Sequence, residues 1–204
     1  MKHRPIDKIK EYRKLLERYA KTLDLLSSAG LRHLDEHFET SLRYADVIKR
    51  MTPSPTAVLD IGSGSGLPGV ILAIELSPTR VYLVERRRRR SAFLEIVVSR
   101  LELTNAAVFW SDSNHLDTTD LGGVRAEVVT AQAVGTFAQI YRETAHLHAG
   151  SVTLISRKGP EWQREIAVLR SEIDVEAEIT ANESLVNRGT LVAVRLMGGK
   201  RCRS

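Results

Sequence analysis

Ala57-Val58-Leu59-Asp60-Ile61-Gly62-Ser63-Gly64-Ser65-Gly66-Leu67-Pro68-Gly69 decides how this chain is read. An apolar run, broken only by Asp60, gives way to glycine at alternate positions. The pattern predicts a buried strand, a glycine loop and a helix start. Glycine serves where the backbone turns with φ > 0, or where a ligand lies too close for a Cβ. Pro68 suits a first helical turn, where its missing N–H costs nothing. Such a helix start presents free N–H groups and a partial positive charge. A nucleotide-like ligand is expected there.

The acid in the strand bears on which ligand. Gly64, Gly66 and Gly69 also spell G-x-G-x-x-G, the dinucleotide fingerprint. A pyrophosphate, however, would be repelled by the Asp60 carboxylate. S-adenosylmethionine has no phosphate and carries a sulfonium and an ammonium, which a carboxylate favours. The order Asp60-x-Gly62-x-Gly64-x-Gly66 after a strand resembles the cofactor loop of class I methyltransferases. A second apolar run, Val81-Tyr82-Leu83-Val84, ends in Glu85, placed to accept hydrogen bonds from both ribose hydroxyls. The bland alternative is a strand–turn–helix without a ligand, and two acids at these offsets count against it.

The chain has 204 residues, 43% hydrophobic and 27% charged, enough for one domain with a small extension. No apolar run approaches the roughly 20 residues of a bilayer span, and the charged N-terminus lacks the core of a signal peptide. The single cysteine, Cys202, excludes an internal disulfide and a cysteine-built zinc site. A cytoplasmic, monomeric protein without membrane contact is expected. The formal net charge of +5 is compatible with a nucleic-acid substrate.

Periodicity orders the rest. Ile9, Tyr12, Leu15, Leu16, Tyr19, Leu23 and Leu26 recur at helical spacing over 6–26, and Phe38, Leu42, Ala45 and Ile48 do so over 35–51. These helices make residues 1–53 an N-terminal cap. From 54 to 197 strands are predicted at 57–61, 80–85, 106–110, 126–131 and 151–156. Helices are predicted at 68–76, 87–102, 135–147 and 160–172. The alternation implies an α/β fold, a Rossmann-like doubly wound parallel sheet. Val175–Ile179 and Leu191–Leu196 read as a closing pair with an antiparallel edge strand. Residues 198–204 form a flexible basic tail.

Other candidates lie where strands end, the ligand edge of such sheets. Asp112 or Asn114 can bond an adenine amino group with Trp110 stacking, or the segment is a polar turn. Gln132, the extended polar side chain after the fourth strand, either faces the methyl group or faces solvent. Arg86–Arg90 is an unbroken run of five arginines. It is either a solvated helix start or an RNA contact. The second reading gains from cations being misplaced against the helix dipole. Arg157 and Lys158 add charge on the same edge. The histidines show no metal-ligand spacing, and no metal is expected. No nucleophile elbow or Cys–His pair appears.

Nearly the whole chain resembles the GidB/RsmG family, guanine-N7 methyltransferases of bacterial small-subunit ribosomal RNA. Asp60 to Gly69, with its Gly-Leu-Pro-Gly, carries most of the likeness. Leu83-Val84-Glu85 with Arg89-Arg90 and Phe93-Leu94 adds to it. So do His37 with Ser41-Leu42, Val128-Val129-Thr130 with Ala133-Val134, and Lys158-Gly159. The resemblance implies a class I methyltransferase fold, S-adenosylmethionine as cofactor and the small ribosomal subunit as partner. It implies cofactor contacts from Gly62, Leu67, Ser113 and Asn114, beside Asp60, Ser63, Gly64, Gly66, Glu85, Asp112 and Gln132. RNA contacts are expected from His37, Arg86, Arg89, Arg90, Arg157 and Lys158, with Gln132 and Lys158 in the substrate pocket. The chain departs from the family at Gln132, where arginine is usual, at Glu127 for aspartate, at Glu36 for arginine, and in lacking Asn-Leu-Thr near Ser27–Leu31. Guanine N7 attacks without losing a proton, so no catalytic residue beyond positioning is expected. The competing readings are a divergent paralogue for another RNA or a small molecule, a non-catalytic RNA-binding module and, more distantly, a dinucleotide oxidoreductase.

Overall fold

The computed structural model describes residues 4–185 and 189–198. The expected basic tail, apart from Gly198, and Cys202 lie outside them. Seven strands form one sheet in the order β3-β2-β1-β4-β5-β7-β6. The strands are β1 (Ala57–Ile61), β2 (Arg80–Val84), β3 (Ala106–Phe109), β4 (Ala126–Gln132), β5 (His148–Lys158), β6 (Val175–Leu185) and β7 (Gly189–Gly198). The first five are parallel. The chain reverses direction across the sheet between β1 and β4, which opens a crevice at the carboxyl ends of these strands.

The helices are α1 (Pro5–Tyr19), α2 (Ser28–Arg32), α3 (Leu34–Lys49), α4 (Gly69–Glu75), α5 (Arg88–Arg100), α6 (Phe137–Thr144) and α7 (Trp162–Glu172). Successive strand residues point to opposite faces, so each parallel strand feeds two cores. Val58, Val81, Leu83 and Val128 face α1, α3, α4 and α5. Leu59, Ile61, Tyr82, Val84 and Val129 face α6 and α7. Tyr12, Leu16, Phe38, Tyr44 and Ile48 from residues 1–53 belong to the first of these cores. The N-terminal helices are therefore a layer of the α/β core and share its stability.

Three local differences from the periodicity have clear causes. The first helix ends at Tyr19, short of Leu26, because Asp24 turns with φ 50° and Leu25 N–H bonds back to Ala20 O at 2.9 Å. Leu23 and Leu26 still pack on the core from that turn, so the apolar period outruns the helix. Helix α6 starts at Phe137, two residues late, where Thr136 and Gln139 exchange the hydrogen bonds of a capping box. The strand running against the others is β7, one place in from the edge, paired antiparallel with both β5 and β6. Strand β6 is the edge, where Glu176 and Glu178 put charge on an open ladder.

Candidate functional site at the carboxyl edge of the sheet

The glycine loop after β1 is shaped by contacts that leave no room for side chains. Gly62, Gly64 and Gly66 have φ of 64°, 56° and 95°. A Cβ on Gly66 would lie 2.7 Å from the Tyr12 hydroxyl and 2.6 Å from Val70 Cγ2. Tyr12 itself is buried and donates to Ser65 O at 2.7 Å, so α1 clamps the loop from behind. Burial, reinforced by the Asp60 charge, raises its phenol pKa well above the ordinary range. Arg90 ties the same region to the turn after α1, donating from Nε and Nη2 to Asp24 O at 3.1 and 2.6 Å.

The two acids have different surroundings. Glu85 is 4% exposed and its carboxylate accepts from the Gly64 amide at 2.9 Å and the Arg87 amide at 2.7 Å. These bonds join the ends of β1 and β2. They occupy one lone pair on each oxygen and leave the other available. Asp60 is 1% exposed and sits beneath the loop. Its Oδ1 accepts from Thr130 Oγ1 at 2.6 Å; Oδ2 makes no hydrogen bond and faces Gly69, where a Cβ would approach to 2.4 Å. Burial pushes its pKa up to about 6, against the lowering effect of the Thr130 hydroxyl.

A cavity of about 450 Å³ opens in front of the loop, lined by Gly62, Glu85, Arg86, Arg87 and Arg90, by Ser111, Asp112 and Ser113 after β3, by Gln132 to Val134 after β4, and by Glu143 of α6. Its size suits a small organic ligand. The polar set is mixed. Glu85, Asp112 and Glu143 can accept from hydroxyls and amines, and the arginines can hold a carboxylate or phosphate. Gln132 contributes a buried Oε1 with no hydrogen-bond partner. A buried acceptor left unpaired costs about 1–3 kcal/mol, which a ligand donor in the cavity would recover. These features fit a zwitterionic nucleoside carrying ribose hydroxyls, an amine and a carboxylate.

Of the residues expected at the cofactor, Gly62, Glu85, Asp112, Ser113 and Gln132 therefore line the cavity. Ser63, Gly64, Gly66 and Leu67 form the loop behind it. Asn114 is exposed and caps the turn through Asp112 Oδ1, with its amide at 3.2 Å and Nδ2 at 3.1 Å. Asp60, expected at the cofactor, sits beneath the loop with Oδ1 held and Oδ2 unpartnered. It does not line the cavity, and Thr130, 70 residues away, donates to its Oδ1. Lys158, expected at the substrate and the RNA, is paired within the fold. It is 7% exposed, donates to Gly135 O at 2.8 Å, pairs with Glu165 Oε2 at 2.9 Å and lies 4.6 Å from the Phe137 ring centroid. With its charge neutralised inside the fold it is unsuited to an exposed RNA phosphate. Arg86 and Arg90 line the cavity, and Arg89 is exposed outside it. Arg157 adjoins His37, whose pKa is lowered by burial and then by the Arg157 charge.

Sequence reasoning missed Tyr12, Thr130, Arg87 and Glu143. Tyr12 reads as an ordinary helical core residue and Thr130 as a strand residue. Arg87 was legible only as one of five arginines, and Glu143 carries no sequence signal. No group of three or more His, Cys, Asp or Glu able to hold a metal occurs among the described residues. No helix there is long and apolar enough to cross a membrane.

Two buried groups give opposite pH signatures. His148 has its pKa lowered to about 4, chiefly by burial; the Thr144 hydroxyl donates to Ile140 O, so Nε2 at 2.6 Å acts as donor to it and the ring is neutral. The unfolded chain binds that proton from pH 6.5 downward, so His148 costs stability as pH falls from 6.5 to 4. Asp60 does the reverse: the folded state holds its proton up to pH 6, so stability is lost as pH rises from 3.8 to 6. Each contribution is about 3 kcal/mol. Relative to the parent chain, Asp60→Asn should gain stability by about this amount between pH 4 and 7, and His148→Gln should lose it. Denaturant titrations across that range measure both, and a flat difference profile would reject the assignment for that residue.

Against known proteins, the GidB family model, described as rRNA small subunit methyltransferase G, matches residues 5–190. The chain is 31% identical over 178 residues to ribosomal RNA small subunit methyltransferase G of Ralstonia nicotianae, covering 84% of this chain and 78% of that protein. It is 29% identical over 192 residues to the protein of the same name from Sinorhizobium fredii, covering 89% and 86%. Among solved structures, a SAM dependent methyltransferase from Aquifex aeolicus superposes with a TM-score of 0.59 at 15% identity, over 87% of this chain and 98% of that one. Precorrin-6y C5,15-methyltransferase from Geobacter metallireducens gives 0.56 at 10% identity, over 79% and 88%. At these identities the structural likeness establishes the class I methyltransferase fold and nothing finer.

Proposed function

Because the chain belongs to the GidB family, we propose that it methylates small-subunit ribosomal RNA, with S-adenosylmethionine as cofactor and N7 of a guanine as the acceptor. The observation that carries this reading is the cavity in front of the Gly62–Gly66 loop, where Glu85, Asp112 and Gln132 offer acceptors to a nucleoside. When bound, S-adenosylmethionine supplies an electrophilic methyl group. The remaining lone pairs of Glu85 accept from the ribose hydroxyls. Asp112 accepts from an amine, and Gln132 Oε1 takes one donor from cofactor or base. Arg87 and Arg90 are suited to the carboxylate of the cofactor. Asp60 and Tyr12 act at one remove by fixing the loop.

Guanine N7 holds an unprotonated lone pair at neutral pH, so the protein needs no general base. Its task is to hold two reactants in line, which can remove roughly 7–11 kcal/mol from the barrier. RNA contacts are assigned to Arg86, Arg89, Arg157 and His37. Arg86 and Arg89 make no ion pair among the described residues, so both charges are available to phosphate. Each of Arg86→Ala and Arg89→Ala should lower the salt dependence of RNA binding, log Kd against log[salt], by about 0.7–1 in slope. Unchanged slopes in filter binding would remove these arginines from the interface.

The deciding experiment offers labelled S-adenosylmethionine with unmodified small-subunit RNA, free and within the subunit, followed by nucleoside analysis. Label in 7-methylguanosine is expected. Label in another nucleoside would overturn the N7 assignment. No transfer with cofactor binding intact would overturn the RNA substrate.

A further inference from the structure

Trp110 follows β3 directly, at the same strand edge as the cavity, and is 60% exposed, the most exposed large hydrophobic side chain described. The ring is held in place. Its Nε1 donates to Arg86 O at 3.0 Å, and the Arg88 guanidinium lies 5.5 Å from the ring centroid. Ser111, Asp112 and Ser113, the next residues, line the cavity, and so do Arg86 and Arg87, while Trp110 itself does not. The indole thus stands outside the cavity on its arginine-rich rim. An apolar ring that faces water yet is fixed by a hydrogen bond gains nothing for the core.

Resting on the RNA reading above, we propose that Trp110 and Arg88 form a stacking platform for an unpaired base of the substrate RNA next to the nucleotide being methylated. Single-stranded bases are recognised by stacking on aromatic rings and guanidinium planes. Arg88 supports the indole and supplies charge to the same strand. Arg86 flanks it with a cation for the phosphates that must accompany a stacked base. The pre-set ring orientation lowers the ordering cost of binding. A base on the indole leaves its neighbour within reach of the cavity mouth two to three residues away in the chain, at Asp112 and Ser113.

The test uses the full chain loaded with S-adenosylhomocysteine and a single-stranded purine-rich RNA oligonucleotide. Trp110→Leu should weaken RNA binding about 5- to 150-fold, the range set by one base stack, and leave S-adenosylhomocysteine affinity within threefold. The salt slope should stay at the parent value, because stacking displaces no counterion. Trp110→Tyr should restore most of the affinity. In a Trp162→Phe background, RNA should quench the emission of the remaining tryptophan. RNA affinity unchanged in Trp110→Leu would overturn the proposal. So would a matching loss of S-adenosylhomocysteine affinity, which would put the indole in the cofactor site. These are binding measurements, so they stand apart from methyl transfer: a parent chain that binds RNA through Trp110 but transfers no label would overturn that RNA as the methyl acceptor and keep Trp110 as an RNA-stacking residue.

Discussion

Glu85→Gln should weaken S-adenosylmethionine binding by about 100-fold while the protein stays folded. In the parent chain both carboxylate oxygens accept from backbone amides, Gly64 on one side and Arg87 on the other. A glutamine can keep only one of these bonds. Its NH₂ group then faces an N–H, donor against donor, in a site where the side chain is 4% exposed. The variant also loses one acceptor for the ribose hydroxyls. Hydrogen bonds to a charged group are worth about 1.5–3 kcal/mol, and losing one of them while the other becomes neutral accounts for about two orders of magnitude in affinity. The cores on the two faces of the sheet do not involve Glu85, so the melting transition should remain cooperative. Calorimetric titration with S-adenosylhomocysteine, beside a thermal melt, measures both quantities. Methyl transfer should show a raised KM for the cofactor with kcat little changed, because the reacting atoms are not touched. Cofactor affinity within threefold of the parent would remove Glu85 from the binding site.

Gly66→Ala should be among the most damaging single-methyl changes in the chain, costing about 2–5 kcal/mol. Two penalties combine. The backbone at φ 95° is unfavourable for any residue with a Cβ, worth roughly 1–2 kcal/mol. The new methyl would also meet Val70 Cγ2 at 2.6 Å, the Tyr12 hydroxyl at 2.7 Å and Leu94 Cδ2 at 3.0 Å, and overpacking of this kind costs roughly 1–3 kcal/mol. Gly123→Ala separates the two terms, since φ there is 76° and nothing lies within 4 Å of the added Cβ. It should cost only about 1–2 kcal/mol. In a Tyr12→Phe background part of the Gly66→Ala penalty should disappear, as the nearest polar obstruction is gone. Denaturant midpoints for the four variants close the cycle. Equal costs for Gly66→Ala and Gly123→Ala would show that the clamp by α1 is slack.

Much of this site was open to reading in the residues themselves. The loop glycines at 62, 64 and 66 were legible because positive φ is a local demand that glycine meets most easily. Glu85 was legible because a strand and crossover helix of ordinary length set its distance from the loop. The residues around Asp112 and Gln132 were placed at the cavity by the same logic, as both follow parallel strands. The roles of Asp60 and Lys158 were not legible. Asp60 is held by Thr130, 70 residues along the chain, and Lys158 is buried against Gly135 and Phe137 as well as paired with Glu165 on the helix that follows.

The order of strands and helices, the glycine loop and the acid ending the second strand follow from the sequence alone, since period, turn chemistry and short-range spacing are local properties. The tertiary structure decided which charges remain available. Thr130 donates to Asp60 beneath the loop, Glu165 neutralises Lys158, and Tyr12 on α1 clamps the turn at Ser65. The Asp60–Thr130 and Tyr12–Ser65 contacts join residues 70 and 53 apart in the chain, and Lys158 is buried against Gly135 and Phe137, so these environments depend on elements that only the strand order β3-β2-β1-β4-β5 brings together.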